Sequence, residues 1–330
     1  MTNTIFFEHS LKFEIDVIGY KNKGESIVFF LITDEKVSYA GLVDSYEEDG
    51  ENEAVKLLLK TGRQYFDFVC WTHPHDDHTI GMDRILEQYC NQDTAFWMFP
   101  FYSKNTDGYS QMVRHTYKNL FSIIESPKRK KMKIRTAINA NRMERCICSC
   151  IAGAGRYNFE VFSFAPSSEI LTANMVRGQE ERGNLYSVGL LINIGAYCIM
   201  LAGDVENRTF QVLPDYDLEF PIDYIKIPHH GSSSSEILPD RLAGLGIEAP
   251  NVAVSTVFRR HHLPEQTVLK KYSSWGKKTE LYCSGNPENM GSAYKSGIIQ
   301  TTFDVLQKCD FPIETSLHGG AVKVELWKKV

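Results

Sequence analysis

No stretch of this 330-residue chain is long and apolar enough to cross a bilayer. The longest apolar segment, Ser187 to Leu201, is interrupted by Asn193 and falls short of the roughly 20 residues that a span needs. Met1-Thr2-Asn3-Thr4 lacks a basic segment followed by an apolar core, so no secretory leader is expected. Low-complexity tracts and short-period repeats are also missing, which argues against a linker-rich or solenoid chain. The eight cysteines do not follow a disulfide-framework spacing. That excludes a small disulfide-stapled scaffold and points to a reduced, cytoplasmic setting without membrane partners. Charge of one sign is not dominant either: the net value is −5, so the whole surface is not built to hold a polyanion. What remains is ordinary, with 43% apolar residues and length enough for one large α/β domain with a substantial core.

Six residues stand out against that background: His73-Pro74-His75-Asp76-Asp77-His78. They follow Phe66-Asp67-Phe68-Val69-Cys70-Trp71, an apolar run that reads as a buried strand. A turn that caps the next helix needs one acceptor, Asp76 or Asp77, and leaves three histidines unaccounted for. His73 and His75 alternate in phase and lean toward one point, while Asp77 and His78 reach a second. Nitrogen and oxygen donors in this arrangement suit zinc, manganese or iron better than a closed thiolate site.

The rest of the chain reads as alternating elements. Residues 12 to 45 form a β-meander with turns at Asn22-Lys23-Gly24 and Thr33-Asp34-Glu35. Glu53 to Lys60 is a short helix stopped by Gly62, and Met82 to Tyr89 has helical spacing with Ile85, Leu86 and Tyr89 inward. Ala95 to Phe99 reads as a strand and residues 108 to 125 as a helix that carries His115 on its surface. Cys146, Cys148 and Cys150 share one strand face, where a metal or redox role competes with simple burial. His9 and His318 sit in no cluster and read as ordinary histidines.

The motif His73-x-His75-x-Asp77-His78 after a hydrophobic strand resembles the signature of the metallo-β-lactamase fold hydrolases. Ile15 to Tyr20, Ser26 to Leu31 and Gly41 to Ser45 look like that family's opening strands, and Cys198 to Asp204 like its apolar strand ending in Gly-Asp. Lys226-Ile227-Pro228-His229-His230-Gly231-Ser232, with Asn184-Leu185-Tyr186-Ser187 upstream, resembles the branch containing the hydrolase domain of the competence DNA-uptake proteins. The matches run from about residue 12 to about residue 275. The resemblance implies a single domain over 1–330, a four-layer αβ/βα sandwich of two mixed sheets packed face to face. It makes residues 91–183 a variable insertion that completes the first half's sheet.

The same resemblance implies roles for particular residues. His73, His75, Asp77, His78, Asp204, His229 and His230 would ligate one or two divalent ions, zinc or manganese, with Asp204 between them and Asp44 bracing the loop. Asp77, Asp204 and His230 would be catalytic, with His230 favoured over His229 as the one that points at metal or phosphate. Asn184 stands about where many members carry another histidine, and none occurs between His115 and His229. Ser232, Arg259 and His262, with Asn184, would contact substrate; Arg260 and His261 belong to the same turn. A water between two cations loses its proton near neutral pH, so the expected reaction is hydrolysis. A phosphodiester, as in a nucleic acid or nucleotide, is the first expectation. Hydrolysis of a carboxylic ester, lactone, lactam or thioester is the second, and a metal-binding scaffold without turnover is the third. Lys128 to Arg135 gathers six basic residues in eight positions, a run that suits a nucleic-acid backbone if it borders the cleft. Phe101, Tyr102 and Tyr109 nearby would stack on bases.

Overall fold

Side-chain alternation in the first hairpin sets the layering. In the computed structural model, which describes residues 3–100, 108–126, 132–177, 183–276, 279–307 and 313–325, the strands Leu11–Gly19 and Glu25–Thr33 pair antiparallel. Phe13, Ile15 and Val17 lie opposite Leu31, Phe29 and Ile27, so one face of the pair is wholly apolar. That face meets a second sheet: the Phe159 ring lies 6.2 Å from Phe13 and 6.3 Å from Phe29. Burying each such side chain contributes roughly 1.5–3 kcal/mol, far more than any surface pair here. Contact between the sheets therefore dominates the fold.

Among the described residues the first sheet has eight strands. Its order runs Glu314–Gly319, Gly297–Asp304, Leu11–Gly19, Glu25–Thr33, Lys36–Val43, Phe68–Trp71, Ala95–Met98, Lys133–Thr136. The second has nine: Asn3–Phe7, Asn141–Cys150, Arg156–Ala165, Gly189–Ile194, Tyr197–Leu201, Tyr224–Lys226, Val252–Ser255, Glu280–Cys283, Val322–Lys323. Both are mixed, with parallel pairing through Phe68–Trp71 in one and through Tyr224–Lys226 in the other.

Helices cover both outer faces. Glu53–Lys60 packs on the first sheet, capped by Asn52, whose side chain accepts from the Val55 amide at 3.2 Å. On the same side Gln111–Glu125 sets Tyr117 5.1 Å from the Trp71 ring. Behind the second sheet a separate apolar cluster joins Met200, Ile225 and Ala253 to Phe210, Leu242 and Leu269. The result is the four-layer αβ/βα sandwich. No helix among the described residues is long and apolar enough to cross a membrane.

The middle region departs from expectation. Only Ala95–Met98 and Lys133–Thr136 extend the first sheet; Asn141–Cys150 and Arg156–Ala165 pair with each other and then with Gly189–Ile194 in the second. The C-terminal strands Gly297–Asp304 and Glu314–Gly319 return to the first sheet instead. Strand membership depends on which partner edge is open, and apolar alternation does not encode that. The helix Ser168–Arg177 went unpredicted as well. Cys146 and Cys148 are buried in the core, where desolvation pushes both thiols up to about 12. They act as small apolar side chains, and neither is in a disulfide.

Candidate metal centre

The first motif is held in place by the neighbouring strand. Where Phe68–Trp71 ends, the Thr72 amide and hydroxyl donate to the two oxygens of Asp44, at 2.7 and 2.6 Å. Asp44 lies just past Lys36–Val43 at φ +59°, a left-handed conformation that aspartate tolerates better than most residues. His75 caps the short helix Asp76–Thr79, which turns Asp77 and His78 inward. His73 and His78 are fully buried, and Asp77 nearly so.

Two further loops supply the remaining donors. Gly203 has φ +51°, and a Cβ there would come within 2.7 Å of the Val188 carbonyl oxygen, so the turn that delivers Asp204 requires glycine. The Asp204 amide donates to Ser187 Oγ at 3.0 Å. His229, His230 and Gly231 follow Tyr224–Lys226 with three successive positive φ values, +47°, +51° and +78°. Each such histidine costs on the order of 1–3 kcal/mol, strain that clusters at functional sites. The loop is pinned by the His229 amide, which donates to Gly203 O at 2.9 Å.

Together these loops form two donor sets that share Asp204. His73, His75 and Asp204 make one; Asp77, His78, Asp204 and His230 make the other. Asp204 Oδ2 lies 3.4 Å from His73 Nε2, and Oδ1 lies 3.5 Å from His78 Nε2 and 3.8 Å from His230 Nε2. His230 Nε2 is also 3.4 Å from Asp77 Oδ2. Hydrogen bonds on the far side of the rings aim these nitrogens. His78 Nδ1 meets Asp44 Oδ2 at 2.7 Å. His73 Nδ1 meets Thr72 Oγ1 at 2.9 Å, and that hydroxyl spends its proton on Asp44. Both Nδ1 atoms are thereby donors, which leaves each Nε2 lone pair facing the cluster.

The donor set fits divalent cations. His73 Nε2 and Asp204 Oδ1 are buried without a hydrogen-bond partner among the described residues. Asp44, Asp77 and Asp204 put three carboxylates in a buried pocket where no lysine or arginine among the described residues pairs with them, an arrangement stable only beside positive charge. Burial opposes ionisation of Asp204, yet His78, His229, His230 and His73 hold its carboxyl well below the usual range. Burial likewise disfavours a charged His78, but Asp204, Asp44 and Asp77 outweigh it and raise that imidazole well above the ordinary value. His75 goes the other way, down to about 4, through burial and the neighbouring His73. Protons on the cluster are thus the competitors that a metal displaces.

His229 and Asn184 stand beside the first set. His229 Nδ1 meets Ser234 Oγ at 2.7 Å and Glu206 Oε1 at 3.2 Å, and its Nε2 lies 3.8 Å from Asp204 Oδ2. Asn184 Nδ2 donates to Glu206 Oε1 at 3.1 Å and lies 3.3 Å from His229 Nε2, while its Oδ1 has no hydrogen-bond partner among the described residues. A cleft of about 690 Å³ opens above, lined in part by His75, Asp77, Asp204, His229 and Ser232.

The expected substrate side chains sort differently. Arg259 turns away from the cleft: its guanidinium donates to the carbonyls of Met290 and Gly291 and to Asn22 Oδ1, and stacks 5.1 Å over Tyr294. His262, exposed at φ +55°, does not line the cleft either. Their neighbours Arg260 and His261 do, and so does Lys23, 3.7 Å from Asp76. The tight turn Arg259–His261 sends successive side chains in different directions, which the sequence alone does not resolve. Lys128–Lys131, Phe101 and Tyr102 lie outside the described residues. Lys133 and Arg135 line a separate depression with Arg142 and Arg145 rather than the cleft, whereas Tyr109 lines the cleft itself. His115 is at the surface, 3.4 Å from Asp83. Sequence reasoning missed Thr72, Glu25, Thr256 and Glu206, common residue types in no motif, and Lys23 in the cleft lining.

No protein-family profile matches the chain, and no curated protein does. Solved structures similar to it include the metallo-beta-lactamase fold protein YhfI from Bacillus subtilis, 11% identical over 82% of this chain and 95% of that one, with a TM-score of 0.42. Human tRNase Z, short form, is 12% identical over 81% of this chain and 91% of that one, at 0.37. Zinc-bound PqqB from Methylobacterium extorquens is 10% identical over 72% and 78%, at 0.36. On its own geometry, this chain is an αβ/βα sandwich with a buried cluster of histidines and aspartates suited to divalent metal ions.

Proposed function

We propose that the chain is a metal-dependent hydrolase of the metallo-β-lactamase fold, acting on a phosphodiester such as a nucleic acid or nucleotide. The observation that carries this reading is Asp204, whose two oxygens face separate donor sets. Divalent ions such as zinc or manganese, held there, supply Lewis acidity and make a water acidic near neutral pH. The chain's own residues do the rest. His73 and His75 hold one side of the centre; Asp77, His78 and His230 hold the other. Arg260 and Lys23, the latter 3.7 Å from Asp76, place positive charge along the cleft, which favours an anionic substrate. Ser232 and Asn184 add a hydroxyl and an amide for orientation.

A second reading has its own support. Pro74, Tyr109, Phe258 and Leu263 line the same cleft, an apolar wall that suits a carboxylic ester, lactone, lactam or thioester. A panel separates the two: bis-p-nitrophenyl phosphate, single- and double-stranded DNA, RNA and a lactone, each with zinc and with manganese. The first reading expects phosphodiester cleavage that disappears in Asp77→Ala and Asp204→Ala. Survival of that cleavage in both variants overturns it, and turnover of the lactone alone moves the assignment to the second. Metal binding without turnover of any compound leaves a binding scaffold.

A further inference from the structure

Beneath the second donor set runs a buried chain of polar groups that no motif contains. Lys226 is fully buried, and its ammonium lies 2.6 Å from Glu25 Oε2, itself 1% exposed. The hydroxyl of Thr256, also buried, donates to the same carboxylate oxygen. His230 Nδ1 lies 2.7 Å from Thr256 Oγ1 and 3.5 Å from Glu25 Oε2. The direction of each proton follows. A carboxylate only accepts, so Thr256 gives its proton to Glu25 and must receive one from His230 Nδ1. His230 is then held as the tautomer whose Nε2 lone pair faces Asp77 and Asp204.

Lys226 explains why a carboxylate can be placed there at all. A buried Glu25 without it would take up a proton, and a protonated acid no longer dictates which way the Thr256 hydroxyl points. The Lys226 ammonium, 2.6 Å away and equally buried, supplies the opposite charge that a carboxylate at that depth requires. The same logic operates opposite, where Asp44 orders His73 through Thr72 and His78 directly. His75 differs: it is half-buried, and no side chain among the described residues is hydrogen-bonded to its imidazole. The two halves of the centre are thus unequal. One has four donors, with both imidazoles ordered from behind; the other has three, with His229 standing 3.8 Å from Asp204 beside them, and its His75 imidazole has no side-chain hydrogen bond among the described residues.

We propose that Glu25, held by Lys226 and acting through Thr256, is a positioning residue for His230 and makes the Asp77–His78–Asp204–His230 half the tighter metal site. The proposal rests on the metal-centre reading above, and it assigns an affinity order that the donor list alone does not. Outer partners of ligating histidines are typically worth 10–100-fold in metal affinity.

The test is zinc binding to the purified full chain, followed by competition with a chromogenic chelator and by calorimetry, without reference to turnover. The wild type should bind in two classes. His75→Ala should remove the weaker class and leave the tighter one; Glu25→Gln should weaken the tighter class about 10–100-fold and spare the weaker. Because Glu25→Gln strands a buried lysine, Thr256→Val and Thr256→Ser accompany it, with the ion pair intact in both. Valine should reproduce the loss, and serine, which keeps the hydroxyl, should restore affinity. The proposal fails if His75→Ala abolishes the tighter class, or if Thr256→Val binds zinc as the wild type does. No zinc binding by the wild type would instead overturn the metal-centre reading itself.

Discussion

His78 Nε2 and His230 Nε2 lie 3.4 Å apart, although 152 positions separate the two residues in the chain. Neither nitrogen is turned outward, because each ring is anchored through Nδ1, one to Asp44 and the other to Thr256. Two lone pairs aimed at one another repel unless a proton or a cation lies between them. The folded chain therefore carries a built-in requirement for positive charge at that point.

Replacing Asp204 with asparagine should remove the carboxylate that both donor sets share. Zinc or manganese affinity should fall by at least about 100-fold, beyond the usual loss for an outer partner, and hydrolysis should vanish with it. Elemental analysis after dialysis, beside a melting curve to confirm folding, measures this. Full metal content in the variant would exclude a shared ligand.

Asp44→Asn should damage both donor sets at once, since Asp44 orders His73 through Thr72 and His78 directly. Asparagine tolerates φ +59° but offers only one acceptor oxygen to three donors. A stability loss of about 1–3 kcal/mol is expected, together with weaker binding of every metal equivalent. Denaturant melts and metal titration should move together. A loss confined to one binding class would show that Asp44 serves one histidine only.

Chelation should destabilise the fold without unfolding it outright. The carboxylates of Asp44, Asp77 and Asp204 then depend on protonated imidazoles, His78 above all. At metal concentrations near 1,000 times Kd, the loss is about 4 kcal/mol. Scanning calorimetry with and without chelator reads it directly, and identical curves would mean that the cluster holds no ion in solution.

Arg259 and Arg260 should separate cleanly under mutation. Arg260→Ala is expected to raise KM for an anionic substrate while leaving the melting temperature almost unchanged, since the side chain is exposed at the cleft. Arg259→Ala should cost about 1–3 kcal/mol of stability, because it strips the loop carbonyls of Met290 and Gly291 of a charged donor. Kinetics and melts on the pair check the assignment, and the reverse pattern would contradict it.

Asp16 supplies a pH signature remote from the metal centre. Burial, and then the nearby Glu14, pushes its carboxyl up to about 8. An acid with a raised folded pKa binds its proton more tightly folded than unfolded. Its stabilising effect is complete below the unfolded value near 4, and is lost as pH rises from there through 8. Asp16→Asn should therefore match the wild type at about pH 4 and melt higher at pH 8, by about 1–2 °C for each kcal/mol recovered in a chain of this length. Melting both proteins in chelator across that range tests it; a constant difference would place the Asp16 titration elsewhere.

Much of the site was legible because ligand chemistry uses rare residues in dense spacing. Three histidines and two aspartates in six positions after a buried strand have few other uses, and Gly203-Asp204 and His229-His230 stand out against apolar strands in the same way. Strand and helix periods placed Glu53–Lys60 and the opening meander for the same local reason. Of the supporting residues, Asp44 was legible through the resemblance and the others were not. Glu25 follows an ordinary turn, and Thr256 follows an ordinary strand; their partnership with Lys226 exists only because parallel pairing sets Lys226 beside Val254 while the other sheet brings Glu25 across.

By itself, the sequence determined the kinds of donor, the strand that carries each one and the layered α/β plan, since these follow from side-chain chemistry and from periods of a few residues. Tertiary structure alone decided which sheet receives Asn141–Cys150 and Arg156–Ala165, which arginine of Arg259-Arg260 faces the cleft, and which hydrogen bonds aim each imidazole. Those outcomes depend on directions and on partners many residues away, set by the packing of two sheets against one core.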